Sequence, residues 1–419
     1  MCERVVLHGD CLDRLGTLPD ASVHAIVTDP PAGISFMGKS WDSDRGGADS
    51  WIAWMSERAR ECLRVIRPGG HALVWALPRT SHWTARAWEL AGWEIRDRLS
   101  HIFGTGFPKS LDIGKAIDRE MGAERPVIGT RIKHDIRGGH MHACNGTATM
   151  VHQVTAPGSP EAERWDGWHT ALKPAVEDWW LLRAPLRETS VARNVLAHGA
   201  GGINIGTCRV GGSNGRWAPH LLLSHAPDCG KTCAAECPVQ LLDVQSGASK
   251  SRSGSPRSGR HGTGWGMTAT GAEYDDAGGA SRYYPTFRYI PKPARTDRDF
   301  GLEGQPTGLK HRVNPGGLES DPRWAPAQAK NTHPTVKSIE LMSWLVRLVT
   351  PPGGAVLDPF CGSGTTGVAA ALLGLGFIGI EQDAEWARLA SIRIAGTDRQ
   401  AESQAETRPT QLDLLEDLF

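Results

Sequence analysis

The first part of the chain alternates short apolar runs with apolar residues at helical spacing. Residues 22–28 form an apolar run that predicts a strand, and Asp29-Pro30-Pro31 ends it because proline cannot continue a central strand. From 51 to 66 apolar residues recur at helical spacing, which predicts a helix with Ser50 as its N-cap. A buried strand at 72–76 and a helix at about 81–91 are expected next.

The same order of elements returns near the end of the chain. We predict a helix at 336–349, a strand at 355–358, a glycine-rich turn, a helix at 366–373 and a strand at 376–381. Strands that alternate with helices favour a mostly parallel sheet covered on both faces, so the expected fold class is α/β. Because the middle is irregular, we divide the chain into 1–122, an insertion at 123–330, 331–396 and a tail at 397–419.

Composition limits the classes of protein that the chain can represent. Of 419 residues 40% are hydrophobic, which suffices for a core, and no apolar run is long enough for a membrane span. Nine unevenly spaced cysteines argue against a disulfide framework and for a reducing, cytoplasmic location. Lys plus Arg and Asp plus Glu each total 46, so the net charge is zero. That balance conceals a basic loop at 246–281, expected to be flexible, and an acidic tail expected to be disordered.

The glycine-rich turn follows the predicted strand at 355–358. Residues 362–367 fit G-x-G-x-x-G, and Glu381 lies about 20 residues further on, where a carboxylate can accept hydrogen bonds from ribose hydroxyls. A nucleoside-containing ligand is therefore expected. Asp358 and Phe360 directly before the glycines suit a cation better than a pyrophosphate, which favours S-adenosylmethionine over a dinucleotide. A strand–helix turn that binds no ligand is the remaining alternative.

Asp29-Pro30-Pro31-Ala32 lies at a predicted strand end, where open α/β sheets bind their ligands. Taken alone, it also fits an ordinary strand-terminating turn. Together with the glycine-rich turn, however, it resembles the β class of amino-directed, site-specific DNA methyltransferases. Asp29-Pro30-Pro31 resembles their catalytic motif, residues 360–364 match their F-x-G-x-G cofactor motif, and 8–12, 103–110 and 331–337 resemble further family segments. The likeness covers 1–120 and 331–395.

The resemblance implies a Rossmann-like S-adenosylmethionine-dependent sheet in permuted order, with the catalytic half first, the cofactor half last and a large insertion between them. It implies that the Asp29 side chain and the Pro30 carbonyl hold the target amino group, while Pro31 stiffens the turn. The cofactor-binding residues that it implies are Asp10, Cys11, Asp29, Thr335, Lys337, Asp358, Phe360, Gly362, Gly364, Thr365 and Glu381.

This chain departs from the family pattern at Ala32. The family usually carries an aromatic residue there, which stacks on the flipped base, and such stacking contributes roughly 1–3 kcal/mol. We expect Phe36 or Trp41 to take over that contact.

The resemblance also implies the substrate and partners. Methyl transfer to an exocyclic amino group of a flipped base in double-stranded DNA is expected, with the region 123–330 reading the sequence. Asp-Pro-Pro favours adenine N6, and cytosine N4 stays open. The alternatives from other classes are a catalytically decayed DNA-binding protein and, disfavoured by the short C-terminal half, a nicotinamide enzyme. A cognate restriction endonuclease is an expected partner, and a membrane is not.

Two further motifs suggest binding sites. Cys229, Cys233 and Cys237 have spacings found in structural zinc sites, and Cys208, His220 and His225 lie near them in sequence as sources of a fourth ligand. Reduced cysteines in a loop are the alternative. At the C-terminus, residues 411–415, Gln-Leu-Asp-Leu-Leu, are similar to the peptide by which bacterial replication proteins bind the sliding clamp.

Overall fold

The computed structural model describes residues 3–104, 106, 110–134, 149–212, 214–226, 229–230, 232–234, 236–251, 276–287, 295–305, 308–310 and 327–406. The strands are β1 (Arg4–His8), β2 (Val23–Thr28), β3 (Ile66–Ala76), β4 (Glu94–Ile102), β5 (Val127–His134), β6 (Thr149–Thr155), β7 (Val176–Arg183), β8 (Leu221–Ser224), β9 (Ser249–Lys250), β10 (Ala277–Gly278), β11 (Thr286–Phe287), β12 (Gly308–Lys310), β13 (Ala327–Ala329), β14 (Ala355–Asp358) and β15 (Gly376–Glu381). The α-helices are α1 (Cys11–Gly16), α2 (Ala48–Val65), α3 (Ser81–Leu90), α4 (Ile113–Met121), α5 (Pro160–Arg164), α6 (Val191–His198), α7 (Pro238–Ser246), α8 (Arg295–Asp299), α9 (Ile339–Val349), α10 (Thr365–Leu372) and α11 (Ala384–Glu406). Short 3₁₀ helices span Phe36–Gly38, Ser40–Asp42 and Ala280–Tyr283.

The main sheet has nine strands in the order β1-β15-β14-β2-β3-β7-β4-β8-β11. All its neighbouring strands are parallel except for β7, which runs antiparallel to both β3 and β4. The expected α/β sheet is therefore confirmed, including its permuted order, because the N-terminal β2 pairs with the C-terminal β14.

Alternate residues of the central strands face two separate cores. Ala25, Val27 and Leu73 pack with residues of α9, α10 and α11 on one face. Ile26, Ala72 and Val74 pack with residues of α1, α2 and α3 on the other. Strands buried on both faces carry near-continuous apolar runs, which is why the sequence signals for β2, β3 and β14 were clear.

The structure divides the chain differently from the sequence-based boundaries. The chain forms two compact units, one from 1–104 and 176–419 and the other from 105–175. The predicted insertion at 123–330 therefore includes β7, β8 and β11, which are strands of the main sheet. Residues 176–183 are largely apolar and were a strand signal inside a region that otherwise looked irregular.

In the smaller unit, the nearly fully buried Asp118 carboxylate accepts hydrogen bonds from Gly158 N (2.9 Å) and Ser159 Oγ (2.7 Å).

Three local expectations also need correction. α2 begins at Ala48 with Gly47 as its N-cap, so Ser50 is not the cap, and α9 begins at Ile339 after its cap Ser338. The tail predicted to be disordered from 397 instead continues α11 to Glu406, because Thr397 is fully buried and the following Ala, Glu and Gln residues favour helix. Residues 407–419, including the clamp-like 411–415, lie outside the described residues, as do 252–275 of the basic loop. Among the described helices, none is both long and apolar enough to cross a membrane.

Candidate functional site

Four groups of predicted site residues lie at the carboxyl ends of four adjacent parallel strands. Asp10 follows β1, Glu381 ends β15, the glycine-rich turn (residues 358–367) follows β14, and Asp29 follows β2. The chain leaves β14 for β15 on one side and leaves β2 for β3 on the other, so the connections diverge between β14 and β2. Such a divergence opens a crevice at the strand ends, which is the usual ligand site in open α/β sheets. Thr28 Oγ1 donates a 2.7 Å hydrogen bond to Asp358 Oδ1 across this boundary.

Asp358 shapes the glycine-rich turn from inside. Its carboxylate is 3% exposed and accepts hydrogen bonds from the hydroxyls of Thr28 and Thr366 and from the backbone N–H of Phe360. Burial raises the pKa of Asp358 to about 6. Because both oxygens are already engaged, the carboxylate ties β2, β14 and α10 together, and its direct contact with a cationic ligand stays a prediction.

Two glycines of the turn have positive φ and closely packed surroundings. Gly362 has φ +51°, and a Cβ there would lie 2.8 Å from His333 Nε2. Gly364 has φ +79° and is the N-cap of α10, and its Cβ would lie 2.9 Å from Ala390 Cβ. Only glycine fits both the backbone conformation and the space, so the turn can bring its backbone close to a ligand.

Glu381 lies against the glycine-rich turn. Its Oε2 accepts a 2.9 Å hydrogen bond from Gly362 N, and its Oε1 accepts one of 2.9 Å from Asp383 N. Burial raises the pKa of the Glu381 carboxyl. Each carboxylate oxygen can accept a second hydrogen bond, so the predicted role toward ribose hydroxyls remains open to it.

The segment 331–337 packs on the same turn. Asn331 is fully buried and donates a 3.0 Å hydrogen bond to Ser363 Oγ. His333 Nδ1 accepts from Thr335 N (3.3 Å), and Arg298 donates to the carbonyl oxygens of Asn331 (3.1 Å) and His333 (2.5 Å). The segment that the family resemblance pointed out therefore supports the turn, and Arg298, which sequence reasoning missed, holds it there.

Arg393 is a second missed residue. It is fully buried in α11 and donates to Ser363 O (3.2 Å), Thr365 Oγ1 (2.9 Å) and Phe300 O (3.2 Å). Burial lowers the pKa of its guanidinium to about 10. A sequence signal existed, because Arg393 continues the three- to four-residue spacing of buried α11 positions that includes Ala390.

Asp29 forms an ion pair with Lys337. Lys337 Nζ lies 2.8 Å from Asp29 Oδ2 and 4.1 Å from the centre of the Trp75 ring. The carboxylates of Asp29 and Glu177 raise the pKa of Lys337 and outweigh the effect of its burial. The lysine therefore stays charged. Burial raises the pKa of Asp29, and the Lys337 ammonium offsets part of that rise. Sequence reasoning named Asp29 and Lys337 separately but missed Trp75, whose face supports the ammonium.

The Asp-Pro-Pro loop (residues 29–42) is held by Asp42. This carboxylate, 1% exposed, accepts hydrogen bonds from the backbone N–H groups of Ala32 (2.6 Å), Gly33 (3.0 Å) and Phe36 (2.8 Å). Thr80 Oγ1 also donates to Ala32 O at 2.8 Å. Asp42 was missed, because an aspartate in a Gly- and Ser-containing loop is ordinary turn chemistry in sequence.

The two aromatic candidates for base stacking both lie in this loop. Phe36 begins one 3₁₀ turn and Trp41 lies in the next, and both are half-buried. The indole nitrogen of Trp41 is buried and has no hydrogen-bond partner among the described residues. The structure thus keeps both residues near the Asp-Pro-Pro motif, and their stacking role stays a prediction.

The cofactor candidates near β1 have clear local roles. Asp10 caps α1 through Leu12 N (2.8 Å), and its Oδ2 lies 3.7 Å from Arg58 Nη2. Cys11 is buried in the apolar core, and burial raises the pKa of its thiol to about 11. Neither arrangement tests a contact with a cofactor.

Phe360 contacts an aromatic and cationic group that sequence reasoning did not anticipate. Its ring centre lies 6.2 Å from that of Trp54, and the guanidinium carbons of Arg45 and Arg58 lie 3.9 and 4.2 Å from the Trp54 ring. This packing fixes the position of the Phe360 ring within the turn.

The three predicted zinc-binding cysteines do come together. Ligand atoms of His225, Cys229, Cys233 and Cys237 all lie within 4.8 Å of one another. Cys208 is absent from this group because it is buried in the main core, with its Sγ 3.9 Å from Trp344 O.

One part of the chain matches a known protein-family model. Residues 239–391, a little over a third of the chain, match the N6/N4 methylase model described as DNA methylase. This part of the chain is similar to DNA methylases. The chain is 44% identical over 70 residues to the type II methyltransferase M2.MboI of Moraxella bovis, covering 17% of this chain and 25% of that protein. It is 45% identical over 62 residues to M2.DpnII of Streptococcus pneumoniae, covering 15% and 23%. The matches thus span a quarter of these relatives or less.

Solved DNA methyltransferase structures also align with this chain. The cytosine-N4-specific PvuII DNA methyltransferase aligns over 93% of this chain and 85% of its own, with 12% identity and a TM-score of 0.42. The complex of M1.HpyAVI with S-adenosylmethionine aligns over 93% and 98%, with 14% identity and a TM-score of 0.36.

Proposed function

We propose that this protein transfers a methyl group from S-adenosylmethionine to an exocyclic amino group of a base in double-stranded DNA. One observation carries the proposal. Asp29 and the glycine-rich turn, which lie more than 300 residues apart in the sequence, occupy neighbouring strand ends on the two sides of the point where the connections diverge. A methylase needs its base-holding carboxylate beside its cofactor site, because methyl transfer requires the two reacting atoms to be aligned and close.

The cofactor site would be formed by residues of four strand ends and the segment 331–337. S-adenosylmethionine supplies an electrophilic methyl group when bound. The turn offers a backbone that a ligand can approach closely at Gly362 and Gly364. Glu381 is assigned to the ribose hydroxyls, and we place Asp10, Cys11, Thr335, Lys337, Asp358, Phe360 and Thr365 around the same ligand.

Asp29 performs the chemistry at the base. An exocyclic amino nitrogen is a poor nucleophile because its lone pair is delocalised into the ring. Two acceptors that hold its N–H groups turn the lone pair toward the methyl group. We assign these roles to Asp29 and the Pro30 carbonyl, with Pro31 keeping the turn rigid. Lys337 binds Asp29 Oδ2, so Oδ1 is the oxygen assigned to the base.

Adenine N6 is the favoured target, because the motif begins with Asp rather than Ser, and cytosine N4 is the second candidate. The base has to leave the duplex, at a cost of a few kcal/mol. Sequence reading is assigned to the region 123–330. Trp165 and Trp168, which belong both to this region and to the 105–175 unit, have exposed rings, which suits contact with nucleic acid.

The decisive experiment is incubation of DNA with isotopically labelled S-adenosylmethionine followed by mass spectrometry of the nucleosides. N6-methyladenine is the expected product, whereas N4-methylcytosine would support the second candidate. Asp29→Ala serves as the control and should give no labelled nucleoside. If the unmodified protein binds DNA but transfers no label at any sequence, the protein is a decayed DNA-binding protein and the proposal is wrong.

A further inference from the structure

We propose that His225, Cys229, Cys233 and Cys237 bind one structural zinc ion. Their four ligand atoms lie within 4.8 Å of one another. The sequence supplied three cysteines but left the fourth ligand open, and the fold selects His225. This inference is independent of the methyl-transfer proposal.

The interatomic distances agree with tetrahedral coordination. Zinc bonds of about 2.3 Å to sulfur and about 2.0–2.1 Å to nitrogen require S···N separations of about 3.5 Å around a tetrahedron. The Sγ atoms of Cys233 and Cys237 lie 3.4 and 3.5 Å from His225 Nδ1. Two of the six ligand separations thus already match a tetrahedral shell, and all six lie within 4.8 Å.

Backbone N–H groups point at two of the sulfur atoms. Ala226 N lies 3.4 Å from Cys237 Sγ, and Ala234 N lies 3.3 Å from Cys229 Sγ. Hydrogen bonds of this kind stabilise a thiolate, which is the form of cysteine that binds metal.

The location explains why a metal would be needed. His225 follows β8, and its N–H bonds to Phe287 O of β11 (2.9 Å), while Cys237 caps the start of α7. The buried apolar cluster beneath this loop consists of Leu223, Ala226, Cys237 and Val239. Such a small cluster contributes little stability, and a metal is a common substitute for a larger core. The ion would fasten α7 to the end of the main sheet.

The ligand types select the metal and its role. Three thiolates and one imidazole favour zinc over magnesium or calcium, which prefer oxygen ligands. Four protein ligands complete a tetrahedron and leave no open position for a substrate or water, so the site is structural rather than catalytic.

The test is metal analysis of the purified full-length chain, expressed with zinc in the medium. We expect one zinc per chain, and Co²⁺ substitution should give the intense charge-transfer absorption of cobalt–thiolate bonds. His225→Ala and Cys233→Ser should lose the bound zinc. Cys208→Ser and His220→Ala are matched controls from the same part of the sequence and should retain it.

Two additional measurements keep the test decisive if a variant folds poorly. His225→Cys should retain one zinc, because four thiolates also form a closed site. A zinc chelator should lower the Tm of the unmodified chain but leave that of His225→Ala unchanged. The proposal is overturned if the unmodified chain binds neither Zn²⁺ nor Co²⁺, or if the control variants lose zinc as fully as His225→Ala does.

Discussion

The glycine-rich turn and the Asp-Pro-Pro loop lie at neighbouring strand ends, yet they are held in different ways. Distant segments bond to the turn: Thr28 to Asp358, Asn331 to Ser363, and Arg393 to Thr365. The Asp-Pro-Pro loop also contacts Lys337 through Asp29 and Thr80 through Ala32, but three of its backbone N–H groups bond to Asp42, a carboxylate of its own.

This difference suits different tasks. A turn tied to the core from several directions keeps its backbone fixed, which preorganises a binding site. A loop that is organised by its own carboxylate can adjust to an incoming base without disturbing the sheet. The two halves of the site should therefore respond differently to substitution.

The largest expected effect is on methyl transfer when Asp29 is replaced by asparagine. The rate should fall about 10²–10⁴-fold, because an amide NH₂ would meet the base amino group and Lys337 would lose its charged partner. Single-turnover transfer of labelled methyl to DNA measures it. Binding of S-adenosylmethionine, by calorimetry, should persist. A rate within threefold of that of the unmodified protein would contradict the assigned role.

The buried carboxyl of the turn should make stability depend on pH. The pKa of Asp358 is about 6 in the fold, above its ordinary value of 3.8. Between these two pH values the folded state therefore keeps a proton on Asp358 that the unfolded state has released. This protonated carboxyl contributes about 3 kcal/mol to the free energy of unfolding below about pH 4. The contribution is lost as the pH rises through 6. Urea unfolding at pH 4 and pH 7 measures the free energy of unfolding. Asp358→Asn should remove this part of the pH dependence, and an unchanged pH profile would refute the explanation.

Asp42→Ala tests whether the loop is independent of the turn. Three backbone N–H groups would lose their acceptor, so the loop would shift. Methyl transfer should then slow about 10²-fold, because misplacing reacting groups by about 1 Å can have an effect of that size. Affinity for S-adenosylmethionine should not change. Asp44→Ala is the matched control, because that exposed carboxylate lies just after the loop, bonds only to Gly46 N in the described part of the chain, and should leave the rate unaltered. Equal loss of cofactor affinity in Asp42→Ala would show that the two regions are coupled.

Gly362→Ala in the turn, compared with Gly374→Ala just after α10, separates crowding from backbone strain. Both glycines have positive φ, +51° and +68°, but a Cβ at 362 meets the His333 ring while one at 374 meets nothing within 4 Å. The free energy of unfolding should fall about 1–3 kcal/mol further for Gly362→Ala. Equal losses in the two variants would mean that the ring moves aside at no cost.

The smallest effects are expected for Phe36→Ala and Trp41→Ala. Loss of one stacking contact of about 1–3 kcal/mol should slow transfer about 5- to 150-fold in one of the two variants. Fluorescence of 2-aminopurine at the target position reports base flipping directly. If both variants keep full activity, neither residue replaces the missing aromatic, and Trp75 beside Lys337 becomes the next residue to test.

The sequence alone determined features that depend on residues close together in the chain, namely the strands, the turn and the fold class. The strands β2, β14 and β15 were predicted because central strands carry continuous apolar runs, and the turn was predicted because glycine tolerates positive φ. The alternation of strands and helices also predicted the α/β class. Weaker local signals misled, as at the helical stretch after 397, where a polar composition concealed a buried Thr397.

Tertiary structure alone decided which distant residues meet. The pairing of β2 with β14 places Asp29 beside the turn, and the ion pair of Asp29 with Lys337 follows from it. The support from Arg393 and the choice of His225 over Cys208 likewise depend on where helices and strands pack. The physical reason is that periodicity and propensity describe a residue's neighbours along the chain. Contacts across the sheet depend instead on strand order, which is set by how the whole apolar surface is buried.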